Sequence, residues 1–189
     1  MIALAVRLGP LVLASRSPQR RAILAQLGLE FTVADPAYAE HDPERADPRA
    51  LAARHAAGKA GSVPGDRVLG VDTVVALGDR VLAKPDGREQ AEAFLRELSG
   101  RTHEVHSGLC LVAGGVRHEL VETTRVTFVP LSDADMAWYV ASGEWRERAG
   151  GYAIQGHGAA LVERIEGDYT NVVGLPVPAL LRAMAKAVR

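Results

Sequence analysis

One carboxylate lies inside an otherwise apolar run: Asp72, within Val68-Leu69-Gly70-Val71-Asp72-Thr73-Val74-Val75-Ala76-Leu77. Burying a charged Asp is costly unless a cation or a metal meets it, so this residue demands a partner. Strand-borne carboxylates with such partners often stand at catalytic clefts, and a functional role is favoured over a structural ion pair. Glu40, in an acidic loop, offers a second hard oxygen donor, while Arg20, Lys59 and Lys84 offer cations. Together they suit phosphoryl chemistry: cations hold non-reacting phosphates, and a divalent ion on the carboxylates polarises phosphorus and activates water. Taken singly, Glu40, Lys59 and Lys84 read equally well as solvated charges at element ends. Spacing alone does not bring them together.

Arg20 belongs to the stretch that organises the chain, Leu11 to Leu27, where an apolar strand runs into the turn Ser15-Arg16-Ser17-Pro18. Ser17 is a good N-cap, Pro18 suits the first helical position, and Ile23, Leu24 and Leu27 repeat at helical spacing. Free backbone N–H groups and the guanidinium groups of Arg20 and Arg21 therefore converge at one strand-to-helix junction, where a phosphate could be held. The other reading, narrowly favoured on this stretch alone, is a solvated first turn, because cations are ill placed at a helix N-terminus without a ligand.

The remaining elements must position these groups. Phe31 to Ala34 reads as a second strand, followed by the polar loop Asp35 to Asp47, with Glu40, His41 and Asp42. Asp47-Pro48 caps an alanine-rich helix that runs through about Gly61 and carries Lys59 near its end. Val68 to Leu77 is a central strand buried on both faces, and Gly78-Asp79 turns it into the short strand Arg80 to Leu82, just before Lys84. A helix over Arg88 to Leu98 has Ala91, Phe94, Leu95 and Leu98 on one face. Thr102 to Ala113 and Val116 to Val129 are long antiparallel strands joined at Gly114-Gly115. Ser132 and Asp135 open a further helix as a capping box. Gly150 to Ile165 is expected as glycine-punctuated strand or loop, Gly167 to Gly174 as loop and strand, and a last helix starts at Pro176 or Pro178. Helices alternating with isolated strands and hairpins imply an α/β fold with a mixed twisted sheet, in a single domain spanning 1–189.

The bulk composition is that of an ordinary globular chain, 48% hydrophobic and 24% charged. A formal charge of −1 provides no global field for nucleic acid or an anionic membrane, so any polyanion site is local. The single cysteine, Cys110, sits in an apolar run and reads as an inert buried thiol, in keeping with a cytoplasmic location. The apolar N-terminus is not read as an export signal, because Arg7, Gly9 and Pro10 interrupt it and a helix cap follows at once. No run approaches membrane-spanning length. Trp138, Tyr139 and Trp145 are either core or a dimer surface, with core weighed first.

Several familiar patterns fail. Gly58-Lys59-Ala60 lacks the hydroxyl residue and the earlier glycine of a P-loop. His103 and His106 sit on a strand with their side chains on opposite faces, which argues against zinc. Gly156-His157-Gly158 lacks a dinucleotide fingerprint, and Ser17 has no convincing triad.

The segments LASRSPQRRAILAQLG (13–28), LGVDTVV (69–75), LAKP (82–85), FLRELSGRTHEVHSG (94–108) and GYAIQGHGAALVERIEGDYTNVVGLP (151–176) occur in order along nearly the whole chain. Jointly they resemble the Maf-like nucleotide pyrophosphatases, once described as septum-formation proteins. The resemblance implies a two-lobed α/β fold of the inosine-triphosphatase type with the active cleft between lobes, a homodimer, and a house-cleaning hydrolase that converts nucleoside triphosphates to the monophosphate and pyrophosphate. It also implies a divalent cofactor, Mg²⁺ or Mn²⁺, on Asp72 and Glu40, with Asp72 as the principal acid–base or metal residue. Ser15 and Arg20 would contact phosphate, Lys59 and Lys84 the triphosphate, and Thr73 and Gln155 the base or the metal's water. The AIQG segment around Gln155 looks like the subgroup acting on dTTP and UTP. Two positions depart from the family pattern: Gln19 replaces an arginine, which Arg16 or Arg21 would have to offset, and Ser107 replaces a threonine.

The expected chemistry is metal-assisted attack of water on the α-phosphorus, with Asp72 and Glu40 serving the ion and water while Arg20, Lys59 and Lys84 neutralise the departing pyrophosphate. The rival readings are a nucleotide-sensing regulator of septation without turnover, and the same reaction on methylated GTP, ITP or XTP. Two carboxylates beside three cations favour turnover.

Overall fold

The computed structural model describes residues 9–41, 43 and 45–188. The export reading of the N-terminal segment therefore falls largely, and Asp42 wholly, outside the described residues. Seven strands, β1 (Leu11–Ala14), β2 (Phe31–Ala34), β3 (Arg67–Leu77), β4 (Arg80–Leu82), β5 (Thr102–Ala113), β6 (Val116–Phe128) and β7 (Val162–Glu166), form one sheet. Its order is β2-β1-β3-β5-β6-β7, with β4 paired to β3. β1 runs parallel to β2 and β3, and every other pairing is antiparallel. The mixed α/β architecture is thus as the sequence pattern implies.

Strand alternation decides what each face of the sheet carries. Leu11, Leu13, Leu69, Val71, Leu109 and Leu111 share one face and pack with Ile23 and Leu24 of helix α1 (Pro18–Gln26). The opposite face presents Ala14, Val68 and Cys110 to Ala56 and Ala60 of helix α2 (Pro48–Gly61). Farther along the sheet, Val75, Leu82, Val105 and Phe128 pack with helix α3 (Arg88–Leu98) and helix α4 (Asp133–Ser142). The Ser132–Asp135 capping box that opens α4 is formed. Tyr139 and Trp145 are core, and only Trp138 stands half-exposed.

Two stretches differ from the sequence reading. Gly167 to Gly174 is not a strand: Tyr169–Val173 forms a short helix, α5. Its aromatic and β-branched residues favour a strand, but Asp168 caps the helix by accepting from the Thr170 N–H at 2.8 Å. Asn171, fully buried, then locks it by donating to the Val105 carbonyl at 2.9 Å and to Thr124 Oγ1 at 3.0 Å. The glycine-punctuated stretch resolves into two 3-10 turns, Ala149–Gly151 and His157–Leu161, before β7. Helix α6 (Val177–Ala187) closes the chain over the α1 side of the sheet. Among the described residues no helix is long and apolar enough to cross a membrane.

Cys110 is fully buried, and burial, aided by the nearby Glu119 carboxylate, pushes its thiol up to about 11. Its thiolate, the nucleophile, is therefore scarce at neutral pH. Iodoacetamide at pH 8 is expected to leave the folded chain unmodified by mass spectrometry and to add once per chain in denaturant. Rapid labelling of the folded chain would show that the α2 face opens readily.

Candidate active site

The cleft follows from a mismatch in strand length. β1 ends at Ala14, opposite Gly70, while β3 continues to Leu77. Asp72 and Thr73 therefore lack a neighbour on the β1 side, and a crevice opens beyond the carboxyl end of β1, the usual ligand position in open α/β sheets. It has a volume of about 600 Å³ and is lined on one wall by Ser15 to Arg20 and on the other by Leu82 to Lys84, Glu147 to Ala149 and Tyr152. Leu82 and Tyr152 of the far wall belong to one large apolar cluster, while β1 and α1, which flank the near wall, pack into the other through Leu13, Ile23 and Leu24.

Successive β3 residues point to opposite faces, so Asp72 faces α2 and Thr73 faces α1. The approach of α2 is unusually close because glycines stand beneath it. A Cβ on Gly70 would come within 2.6 Å of the Ala60 nitrogen, and one on Gly108, the register partner of Asp72, within 2.7 Å of the Ala53 nitrogen. That closeness lets Lys59, in the last turn of α2, reach Asp72: its Nζ donates to Asp72 Oδ1 at 2.5 Å. The same ammonium meets Glu40 Oε1 at 2.7 Å.

Glu40 is delivered by its loop, which Tyr38 pins to α2. The Tyr38 ring occupies the space where a Gly58 Cβ would be, with its Cζ 2.6 Å from that position, and its hydroxyl pairs with His55 Nδ1 at 3.0 Å. Asp72 and Lys59, both buried, and the partly exposed Glu40 thus form one cluster from a strand, a helix and a loop.

On the other face Arg20 is built into the structure. Its Nε donates to the Gly174 carbonyl at 2.9 Å, Nη1 to Ser15 Oγ at 3.1 Å and Nη2 to Thr73 Oγ1 at 3.2 Å. Burial lowers its pKa from the ordinary guanidinium value, and the Asp72 and Glu40 carboxylates oppose that shift. Thr73 is held in turn by Ser107 Oγ at 2.9 Å, so a serine hydroxyl at position 107 suffices for this contact. Ser17 caps α1 by accepting from the Arg20 N–H at 3.4 Å, and Gln19 accepts from the Ser17 hydroxyl at 3.2 Å. The first turn of α1 therefore does face the cleft rather than bulk solvent. Arg16 also lines it, whereas Arg21 is exposed outside.

Lys84 stands on the far wall, 3.4 Å from Glu147, with both side chains more than half exposed. The structure does not bring Gln155 into the cleft lining: it is exposed on the turn before Gly156. Among the described residues no group of three or more His, Cys, Asp or Glu side chains converges as a metal cage. Sequence reasoning noted Ser107 only as a departure from the family pattern and passed over Tyr38 and Arg148, each in or beside the cleft. Tyr38 and Arg148 carry no local pattern that sets them apart from loop residues.

This arrangement suits a polyanionic ligand with a reacting centre near Asp72. The Maf-like protein family model matches residues 10–187. A protein of Thermus thermophilus named dTTP/UTP pyrophosphatase is 49% identical over 89% of this chain and 89% of its own. Proteins of that name from Myxococcus xanthus and Deinococcus radiodurans are 49% and 44% identical, covering 94% and 93% of this chain and 92% of each relative. With the match running from the first strand to the last helix, the chain belongs to the Maf-like protein family.

Proposed function

We propose that the chain is a nucleoside triphosphate pyrophosphatase acting on dTTP and UTP, releasing the monophosphate and pyrophosphate. The observation that carries this reading is the meeting of Asp72 and Glu40 on the Lys59 ammonium beneath a cleft of nucleotide size. The names of the Thermus, Myxococcus and Deinococcus relatives support the reaction and the pyrimidine substrates.

The donor set fits Mg²⁺ or Mn²⁺: two carboxylates share one cation position, and such ions take hard oxygen ligands and keep several waters and phosphate oxygens of their own. A divalent ion on Asp72 and Glu40 would supply charge stabilisation at the α-phosphorus. Asp72 accepts the proton of the attacking water as its oxygen bonds to the α-phosphorus and the bond to the β-phosphate's bridging oxygen breaks. Lys59 keeps the two carboxylates together, and its ammonium can turn to the departing pyrophosphate when they are otherwise engaged. Arg20, tied to three acceptors, acts as a fixed positive wall that orients Ser15 and Thr73 toward the ligand. Lys84, exposed on the far wall, closes on the polyphosphate from the opposite side.

The test is pyrophosphate release from dTTP, UTP, CTP, methylated GTP and ITP with Mg²⁺ or Mn²⁺, and with a chelator. Chelator-sensitive release that favours dTTP and UTP is expected. Release favouring methylated GTP or ITP would remove the pyrimidine assignment and keep the reaction. Nucleotide binding without release would replace the enzyme with a sensor.

A further inference from the structure

The cleft holds more positive charge than the sequence motifs suggest, and most of it is already engaged. Arg20 directs its guanidinium at Gly174, Ser15 and Thr73. Lys59 is shared between Asp72 and Glu40. Arg16 pairs with Asp35 at 3.3 Å, and Lys84 with Glu147 at 3.4 Å. Arg148 also lines the cleft, and it differs from all of these. Its Nε is sealed from solvent without a hydrogen-bond partner. Its side chain makes no ion pair or hydrogen bond among the described residues.

The backbone beside it is unusual as well. Glu147 has φ +58°, the one positive value at a non-glycine position among the described residues. Such a conformation persists only where the surroundings enforce it, and it clusters at functional sites. Here its effect is visible: the neighbours Glu147 and Arg148, which an extended chain would point to opposite sides, both line the cleft. The segment is fixed to the far wall by the Gly150 N–H, which donates to the Ala83 carbonyl at 3.2 Å, one residue before Lys84.

We propose that Arg148 is a substrate-binding residue whose guanidinium fork anchors the polyphosphate of a nucleoside triphosphate beside Lys84. This rests on the pyrophosphatase reading above. A guanidinium presents N–H donors in a rigid fork that matches two phosphate oxygens, which an ammonium cannot do. The terminal Nη donors, which unlike Nε are not sealed, are the ones that phosphate oxygens in the cleft can meet. Because Arg20 is committed to the protein and Gln19 is uncharged, Arg148 provides the fork on the opposite wall.

Inorganic pyrophosphate with Mg²⁺ is the probe, titrated calorimetrically into the native chain, Arg148→Gln and Arg148→Lys, with TMP as a ligand bearing the base and one phosphate. Arg148→Gln is expected to weaken pyrophosphate binding about ten- to a hundredfold. Arg148→Lys, keeping charge but not the fork, recovers part of it, and TMP affinity stays within about twofold of native, as expected when no contact to it is lost. Unchanged pyrophosphate affinity in Arg148→Gln overturns the proposal, as does an equal loss for TMP, which would mark general damage to the cleft. Should Arg148→Gln fail to fold, Arg148→Lys decides: several-fold weaker pyrophosphate binding supports the fork, and native affinity overturns it. Native chain that binds pyrophosphate through Arg148 but releases none from any triphosphate would sink the pyrophosphatase reading alone. Normal release with unchanged pyrophosphate affinity in the variants would sink the Arg148 assignment alone.

Discussion

Asp72→Asn is expected to lower pyrophosphate release about a hundred- to ten-thousandfold, the range for loss of a positioned acid–base group. The amide keeps the shape and one acceptor oxygen for Lys59, so the local geometry persists while the negative charge and the proton-accepting capacity go. The cost to stability stays moderate for a specific reason. Removing one partner of a buried ion pair is severe when the other charge is left alone, about 3–5 kcal/mol. Lys59 is not left alone, because Glu40 Oε1 remains at 2.7 Å. Arg20, which feels both carboxylates, keeps its three direct acceptors. The melting temperature should therefore move far less than the rate. A coupled assay of pyrophosphate release beside a thermal melt measures both, and near-native release would remove Asp72 from the reaction. Glu40→Gln should be milder in both, because the Glu40 side chain is 37% exposed and solvent can replace part of its charge.

Asp72 was legible because a charge in an apolar strand has few explanations, and each of them requires a partner. Lys59 was legible as an element-end cation, but its pairing with Asp72 was not, since that depends on how closely α2 approaches the sheet. Nothing local shows that Gly70 and Gly108 lie under α2 backbone. Strands and helices with a clear period emerged from the sequence almost to the residue, because burial on one face writes itself into the pattern. The stretch Tyr169–Val173 has β-branched residues and no helical period, and its helix rests on Asp168 and Asn171, whose partners Val105 and Thr124 are remote in sequence. Gln155 was selected by resemblance, and the structure places it on an exposed turn outside the cleft lining. Arg148 shows the converse. One arginine in Arg146-Glu147-Arg148 looks like surface charge until the left-handed kink at Glu147 sets it into the cleft.

If the close approach of α2 is what creates the Lys59–Asp72 contact, then Gly70→Ala should damage the site without touching any polar group in it. The added methyl would stand 2.6 Å from the Ala60 nitrogen and 2.9 Å from the Ala60 Cβ, and it would also press on the Ala56 carbonyl. Two of these neighbours are backbone of a packed helix, so no side chain can swing aside. α2 must lift from the sheet instead, at about 1–3 kcal/mol or somewhat more for overpacking. For a chain of this length that corresponds to roughly 2–4 °C in Tm per kcal/mol. Lys59 lies three residues after Ala56 on the lifted segment, and its 2.5 Å contact with Asp72 has no slack. Loss of turnover should therefore exceed what the lower melting temperature explains at assay temperature. Gly87→Ser is the matched control: Gly87 is extended, has nothing within 4 Å of a Cβ position and lacks a side-chain cap for α3, so a hydroxyl there should be neutral or slightly stabilising. Native turnover in a folded Gly70→Ala chain would mean that Lys59 reaches Asp72 by side-chain flexibility, and that the glycines beneath α2 serve packing alone.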